Sequence, residues 1–314
     1  MPKVPDIFIV GAPRCGTTYL ASVLGRHPAV YMCPVKEPHY FAFPDISLNE
    51  FRPALRKRIE KFELNAYINQ NKKEPVHRMY FENKNDYLKL FDDAPSDSQL
   101  AEASPSYLWA EGAAARIHAE NPDARIIIMI RNPVERALSQ YFIERKMGMT
   151  KRTAVEDICF DLKFPVRKWG ASPLYAELGM YSKQVERYLN TFGKEKVFIG
   201  LLEDLEKNQD DFFFNLFQFL KLEPINVSAE TEGRNKSEIP RIDWLNDIRH
   251  IPAVKSLHKA VLKGSFKKKL KQWFFKKTEI TDITEIKKIL LPIFEPDIKE
   301  LEKISGFDLT RWRI

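Results

Sequence analysis

The segment Gly11-Ala-Pro-Arg-Cys-Gly16-Thr17-Thr18 constrains this chain more than any other. It joins a short apolar run, Asp6–Val10, to a helix-forming run, Thr17–Arg26. Its glycines have the G-x-x-x-x-G spacing of a phosphate-binding loop, where backbone N–H groups wrap an anion at a helix N-terminus. Arg14 puts a cation inside the loop, and Thr17 and Thr18 add hydroxyl donors where the helix begins. A nucleoside-triphosphate loop continues Gly-Lys-Ser/Thr, with the lysine on the terminal phosphates and the hydroxyl on magnesium. Here Thr17 stands at the lysine position. The loop therefore suits a 5′-phosphate better than magnesium-dependent γ-phosphoryl transfer. A purely steric glycine turn and a degenerate triphosphate binder such as a kinase are the competing readings. Convergence of an arginine and two threonines on one anion site favours the cradle.

A strand, a glycine loop and a helix in that order begin a parallel α/β fold, and the rest of the chain keeps the alternation. Strand-like runs follow at Val30–Cys33, Arg125–Ile130 (RIIIMI) and Lys196–Leu201. RIIIMI is apolar at nearly every position, as strands covered on both faces are. Helical patterns cover Gly112–Glu120, Val134–Lys146, Tyr175–Phe192, Asp210–Leu220 and Thr284–Ser305. The expected fold is P-loop-like: three layers, α/β/α, around a central parallel sheet. It forms a single domain over 1–314, with helical decorations. Residues 48–75, polar and rich in Lys, Arg, Asn and Glu, read as an insertion over the sheet edge.

Such a fold needs a large core, and 314 residues at 44% hydrophobic and 30% charged supply one. Cys15, Cys33 and Cys159 are far apart and odd in number, which argues against a disulfide framework and for a reducing compartment. No metal-type Cys/His spacing is present, so no metal is expected. The start of the chain lacks the pattern of a secretory signal, and no apolar run is long enough to span a bilayer. A cytoplasmic location is the expectation. The net charge of +7 favours anionic partners without choosing between nucleic acid and a polyphosphorylated nucleotide.

Directly after RIIIMI comes Arg131-Asn-Pro-Val-Glu-Arg136-Ala-Leu-Ser139. Residues just past the C-terminal end of a parallel strand line the ligand crevice. A guanidinium at Arg131 and a hydroxyl at Ser139 could there grip a second phosphate as a charge-assisted fork. The pair P-R-C-G-T-T-Y-L and R-N-P-V-E-R-A-L-S-Q-Y resembles the two nucleotide-binding motifs of sulfotransferases that use 3′-phosphoadenosine-5′-phosphosulfate (PAPS), chiefly the bacterial and glycan-type members. The resemblance implies PAPS as co-substrate and adenosine 3′,5′-bisphosphate as product. It assigns Arg14, Cys15, Gly16, Thr17, Thr18 and Tyr19 to the 5′ side of the nucleotide and Arg131 and Ser139 to the 3′-phosphate. Gly233-Arg234-Asn-Lys236-Ser237 is similar to the family's late loop over that phosphate. Gly179-Met-Tyr181-Ser-Lys-Gln184, Leu202-Glu203-Asp204-Leu205 and Phe307-Asp-Leu-Thr-Arg-Trp312 look like further family stretches. Two departures stand out: Arg14 replaces the usual lysine, and Asn132 the usual aspartate. An arginine keeps its proton, so Arg14 should clamp the leaving phosphate electrostatically.

Val35-Lys36-Glu37-Pro38-His39-Tyr40-Phe41 resembles the glutamate–histidine segment of glycan sulfotransferases. Carried over, Glu37 is the general base and His39 a supporting or alternative base, with Lys36 either pairing with Glu37 or reaching the sulfate. No comparable motif surrounds His77 or His118. Glu102-Ala-Ser104-Pro105-Ser-Tyr107 resembles a stretch that lines the family's substrate cleft, which implies that Lys36, His39, Ser104 and Tyr107 bind the acceptor. Ala103 replaces that stretch's lysine, which counts against a highly anionic glycan. The expected reaction is sulfuryl transfer to an acceptor hydroxyl, with a saccharide favoured over a lipid, sterol or other small molecule. A P-loop kinase is the more distant alternative. Nucleic acid is not an expected partner, and the sequence sets no oligomeric state. Residues 248–278 contain no acidic residue but nine lysines and Arg249, interleaved with Trp273, Phe274 and Phe275. They read as a substrate-facing segment, a peripheral contact with an anionic membrane surface, or a solvated helix pair.

Overall fold

The computed structural model describes residues 4–60, 63–70, 73–77, 79–227, 238–240, 275–277 and 283–314. Five strands form one parallel sheet: β1 (Ile7–Gly11), β2 (Val30–Met32), β5 (Gln99–Ala103), β6 (Arg125–Ile130) and β7 (Val197–Leu201). Their order across the sheet is β2-β5-β1-β6-β7. Two short strands, β3 (Val35–Lys36) and β4 (Val76–His77), pair in parallel outside it. The helices are α1 (Thr17–Leu24), α2 (Pro53–Glu60), α3 (Leu64–Ile68), α4 (Lys84–Leu88), α5 (Ser106–Trp109) and α6 (Ala113–Glu120). They continue with α7 (Pro133–Lys146), α8 (Ala154–Lys163), α9 (Ser182–Phe192), α10 (Leu202–Lys207), α11 (Gln209–Leu220) and α12 (Ile283–Ser305).

β1 lies at the centre, with Ile7 in register with Ala101 of β5 on one side and Arg125 of β6 on the other. Both faces are covered, so Ile7 to Val10 and Ile126 to Ile130 are all completely buried. Each such side chain contributes about 1.5–3 kcal/mol relative to exposure. Because β1 is flanked by strands from later in the chain, its loop, the end of β5 and the end of β6 open side by side at one sheet edge. In parallel α/β proteins that edge is where ligands bind.

Several boundaries differ from the sequence expectation for local reasons. The helix expected over Tyr175–Phe192 begins only at Ser182, after a single 3-10 turn at Glu177–Gly179. Asp297 of α12 accepts the N–H groups of Tyr181 and Ser182, which fixes the start there. β2 ends at Met32, and Lys196 belongs to the turn before β7. β5 was not expected at all: its sequence, QLAEA, carries a glutamate into the core. α8 was also unexpected, although Thr153 and Glu156 form a reciprocal capping box at its start. Residues 48–75 contain α2 and α3, and Arg52 ties them to α7 through Glu144 at 2.8 Å.

Arg234, Lys236 and Ser237 lie outside the described residues, as does nearly all of 248–278. The described part of the latter, Phe275–Lys277, pairs antiparallel with Glu238–Pro240. No helix among the described residues is long and apolar enough to cross a membrane.

Candidate active site

The loop after β1 and the turn after β6 meet through Arg14. Its Nε donates to Ser139 Oγ at 3.1 Å, and its carbonyl accepts from Arg131 Nη1 at 3.5 Å. The two anion sites read separately from the sequence are therefore one connected surface. Gly16 caps α1 with φ 83°, a left-handed conformation that glycine adopts without strain. Arg14 (φ 70°), Glu37 (φ 71°) and His39 (φ 59°) adopt it too, at roughly 1–2 kcal/mol each for an L-residue with a Cβ. Strain of this kind persists where surrounding structure imposes it, and it gathers at functional sites.

Thr17 is buried and Thr18 exposed, and both line one cleft with Arg14 and Glu37. Cys15 takes no part through its side chain. Its Sγ lies 3.7 Å from Tyr181 Oη, and burial pushes the thiol up to about 11, so it stays protonated near neutral pH. Tyr19 packs edge-on against Phe213 of α11.

The turn that carries Arg131 is braced from three directions. Asn132 caps α7 by accepting from the N–H groups of Val134 and Glu135, as an aspartate there would, so the Asn-for-Asp departure keeps its structural role. The Asn132 N–H itself donates to Glu203 at 2.8 Å, and Trp312 Nε1 donates to the same oxygen at 3.0 Å. Tyr181 Oη donates to the Arg131 carbonyl at 3.1 Å. The later family-like stretches, around Tyr181, Glu203 and Trp312, thus converge on the second anion site as its scaffold. Arg131 itself pairs with Glu135 at 2.6 Å in this state.

Across the cleft stands Glu37, whose N–H donates to the carbonyl of Ala103 at the end of β5. Lys36 Nζ contacts its Oε1 at 3.0 Å, so Lys36 pairs with the carboxylate and does not line the cleft. His39 is completely buried. Its Nε2 lies 3.6 Å from Glu37 Oε2, its Nδ1 2.6 Å from Ser106 Oγ, and its ring stacks on Tyr80 with centroids 4.3 Å apart. The histidine therefore backs Glu37 from behind, which corrects the expectation that it binds acceptor or serves as an alternative base. Ser104 and Tyr107 are corrected in the same way: both are fully buried under the site. Ser104 Oγ accepts from His39 N–H and donates to Glu102, and Tyr107 Oη accepts from Phe41 N–H.

Sequence reasoning missed other residues of the cleft wall, among them Arg52, His77, Tyr80, Glu144 and Trp169. None sits in a recognisable local pattern. His77 arrives because β4 pairs with β3, in a register that sets it beside Lys36.

Glu102 is the buried centre under this wall, receiving Tyr87 Oη and Ser104 Oγ. Burial pushes its carboxyl up to about 7, against the opposing hydrogen bonds from Tyr107, Tyr87 and Ser104. A value raised in the folded state means stability is complete below the ordinary glutamate range and is lost as pH rises through about 7. Between about pH 5 and pH 8 the wild type should lose on the order of 3 kcal/mol relative to Glu102→Gln. Urea-unfolding midpoints of both proteins at the two pH values check this; a constant difference would contradict it.

A strand–loop–helix turn carrying Arg14, joined to the Arg131 turn and sharing a cleft with a buried carboxylate, is the arrangement this parallel α/β fold presents at its ligand-binding edge. Comparison with known proteins makes this specific. The profile described as "Sulfotransferase family" matches residues 5–223, and the chain belongs to that family. It is 27% identical over 278 residues to carbohydrate sulfotransferase 15 of Mus musculus, covering 72% of this chain and 45% of the relative. Heparan sulfate glucosamine 3-O-sulfotransferase 6 of Homo sapiens is 28% identical over 139 residues, covering 44% and 30% of the two chains. The chain thus spans less than half the length of these curated relatives. The crystal structure of a sulfotransferase from Alicyclobacillus acidocaldarius superposes over 99% of this chain and 100% of its own, with TM-score 0.70 and 26% identity.

Proposed function

We propose that this chain transfers a sulfuryl group from PAPS to a hydroxyl of a saccharide. One observation carries the reading: Arg14, on the glycine loop, and the Glu37 carboxylate line the same cleft. The cradle fits the donor. The α1 N-terminus and Thr17 and Thr18 would hold the 5′-phosphosulfate, and Arg131 and Ser139 the 3′-phosphate, with Arg131 exchanging Glu135 for it. In the transfer the acceptor O–H bond breaks and its proton passes to Glu37. The oxygen bonds to sulfur, and the bond between sulfur and the 5′-phosphate oxygen breaks. The charge that develops on the departing phosphate faces Arg14.

A saccharide acceptor is supported by the names of the relatives and by Trp169 in the cleft wall, whose ring offers an apolar face for a sugar's C–H face. The cations Arg14 and Arg52 share the cleft with Glu37 and Glu144, a mixed lining that suits a lightly charged sugar better than a densely anionic one.

Thermal denaturation with adenosine 3′,5′-bisphosphate tests the donor assignment. At about 100 times its dissociation constant the bisphosphate should add about 2.7 kcal/mol, or roughly 5 °C, without magnesium. ATP with magnesium should add little; stabilisation by ATP–magnesium alone would favour the kinase reading instead.

A further inference from the structure

Among the described residues, three side-chain nitrogens lie near the Glu37 carboxylate, and their exposure differs sharply. Lys36 Nζ lies 3.0 Å from Oε1 with its side chain 16% exposed. His39 Nε2 lies 3.6 Å from Oε2 and is fully enclosed. His77 Nε2 lies 3.6 Å from Oε1, and its side chain is 53% exposed. Arg14, Arg52 and Glu144 are the other charged groups of the cleft.

A general base must discharge its proton before the next turnover. Lys36 is already the ion-pair partner of Oε1 and is only 16% exposed. Arg14 and Arg52 are permanently charged. His39 is sealed behind Glu37 by Tyr80 and Ser106. An imidazole open to solvent, by contrast, changes charge close to neutral pH and can pass a proton to water.

The backbone holds His77 where this requires it. β4 is locked to β3 by Val76 N–H on the Pro34 carbonyl at 2.8 Å, and beyond it Met79 N–H donates to the carbonyl of Glu37 itself at 3.2 Å. A separation of 3.6 Å is longer than a hydrogen bond; such contacts in active sites tighten when substrate is bound.

We propose that His77 is a proton-relay residue for Glu37, an inference that rests on Glu37 being the base. Neutral His77, with its proton on Nδ1, presents the Nε2 lone pair 3.6 Å from Glu37 Oε1. After transfer, the proton on Glu37 moves to that lone pair, regenerating the carboxylate and leaving an imidazolium that loses a proton to water. No electrons change hands, and one proton leaves per sulfuryl group transferred.

The experiment compares wild type, Glu37→Gln, His77→Ala and His77→Gln. PAPS is the donor; the acceptors are p-nitrophenyl β-D-galactoside and, in its absence, water, read as donor hydrolysis. Because His77 is half exposed, its variants should melt with the wild type. His77→Ala and His77→Gln should lose about 10- to 100-fold in kcat, at or below the lower end of the range of general acid–base catalysis because Glu37 remains, with the KM for PAPS unchanged. Added imidazole should restore His77→Ala, in proportion to its neutral fraction, but not Glu37→Gln. Unchanged kcat in the His77 variants beside a silent Glu37→Gln overturns the relay alone. So does a loss that imidazole leaves untouched. An active Glu37→Gln overturns the assignment of Glu37 and the relay with it.

Discussion

Glu37→Gln should reduce sulfuryl transfer by about 10²- to 10⁴-fold, the span attributed to general acid–base catalysis, while PAPS affinity stays at the wild-type level. The substitution keeps the shape and the hydrogen-bonding reach of the side chain and removes only its basicity. On the proposed reading the donor is held by Arg14, Thr17 and Thr18, which line the cleft on a different element from Glu37, so donor affinity should be spared. The carboxylate is 9% exposed and held between Lys36 and His39, and Glu37 keeps a left-handed backbone there. Loss of the ion pair with Lys36 should cost some stability, so the melting temperature is recorded alongside kcat. A variant that keeps wild-type kcat removes Glu37 from the chemistry. A variant that loses affinity for adenosine 3′,5′-bisphosphate as well would show that the carboxylate belongs to the donor site instead.

Arg14→Ala should be of similar severity but different form. Removing one preorganised charge at the site of developing negative charge costs about 10²- to 10³-fold in kcat. Here the same side chain also holds Ser139, so the KM for PAPS should rise together with the loss of kcat. Arg14→Lys separates charge from geometry. A lysine keeps the positive charge on the leaving phosphate and should recover most of kcat, while giving up the planar fork that reaches Ser139. Steady-state kinetics in PAPS for the two variants decides the matter. Wild-type kcat in Arg14→Ala would place the stabilising cation elsewhere in the cleft, with Arg52 the first candidate.

The legible part of this protein is the part in which function imposes local sequence. A loop that wraps a phosphate needs glycine at Gly16, a cation within reach and a helix immediately after, and those demands fall on adjacent residues. RIIIMI announces a doubly covered strand for the same local reason. β5 was illegible because its glutamate is acceptable only with hydroxyls from Tyr87 and Ser104, the first of them on another element. His39, Ser104 and Tyr107 were placed near the base by resemblance, and all three do lie there. Sequence cannot tell a residue facing the cleft from one supporting it, because that depends on a single backbone direction at each position. The family-like stretches around Tyr181, Glu203 and Trp312 show the same limit: their order in the chain was readable, but not that they brace one turn.

By itself the sequence determined the parallel α/β class and marked out the glycine loop and the Arg131 turn, which follow from chemistry carried by neighbouring residues; Glu37 was singled out by family resemblance. Only the tertiary structure decided that Arg14 links the two anion sites through Ser139, that His39 is enclosed, and that His77 stands at the carboxylate. Those facts come from strand order and register, which bring together residues separated by 125 positions in one case and by 40 in the other, and no local pattern encodes such a distance.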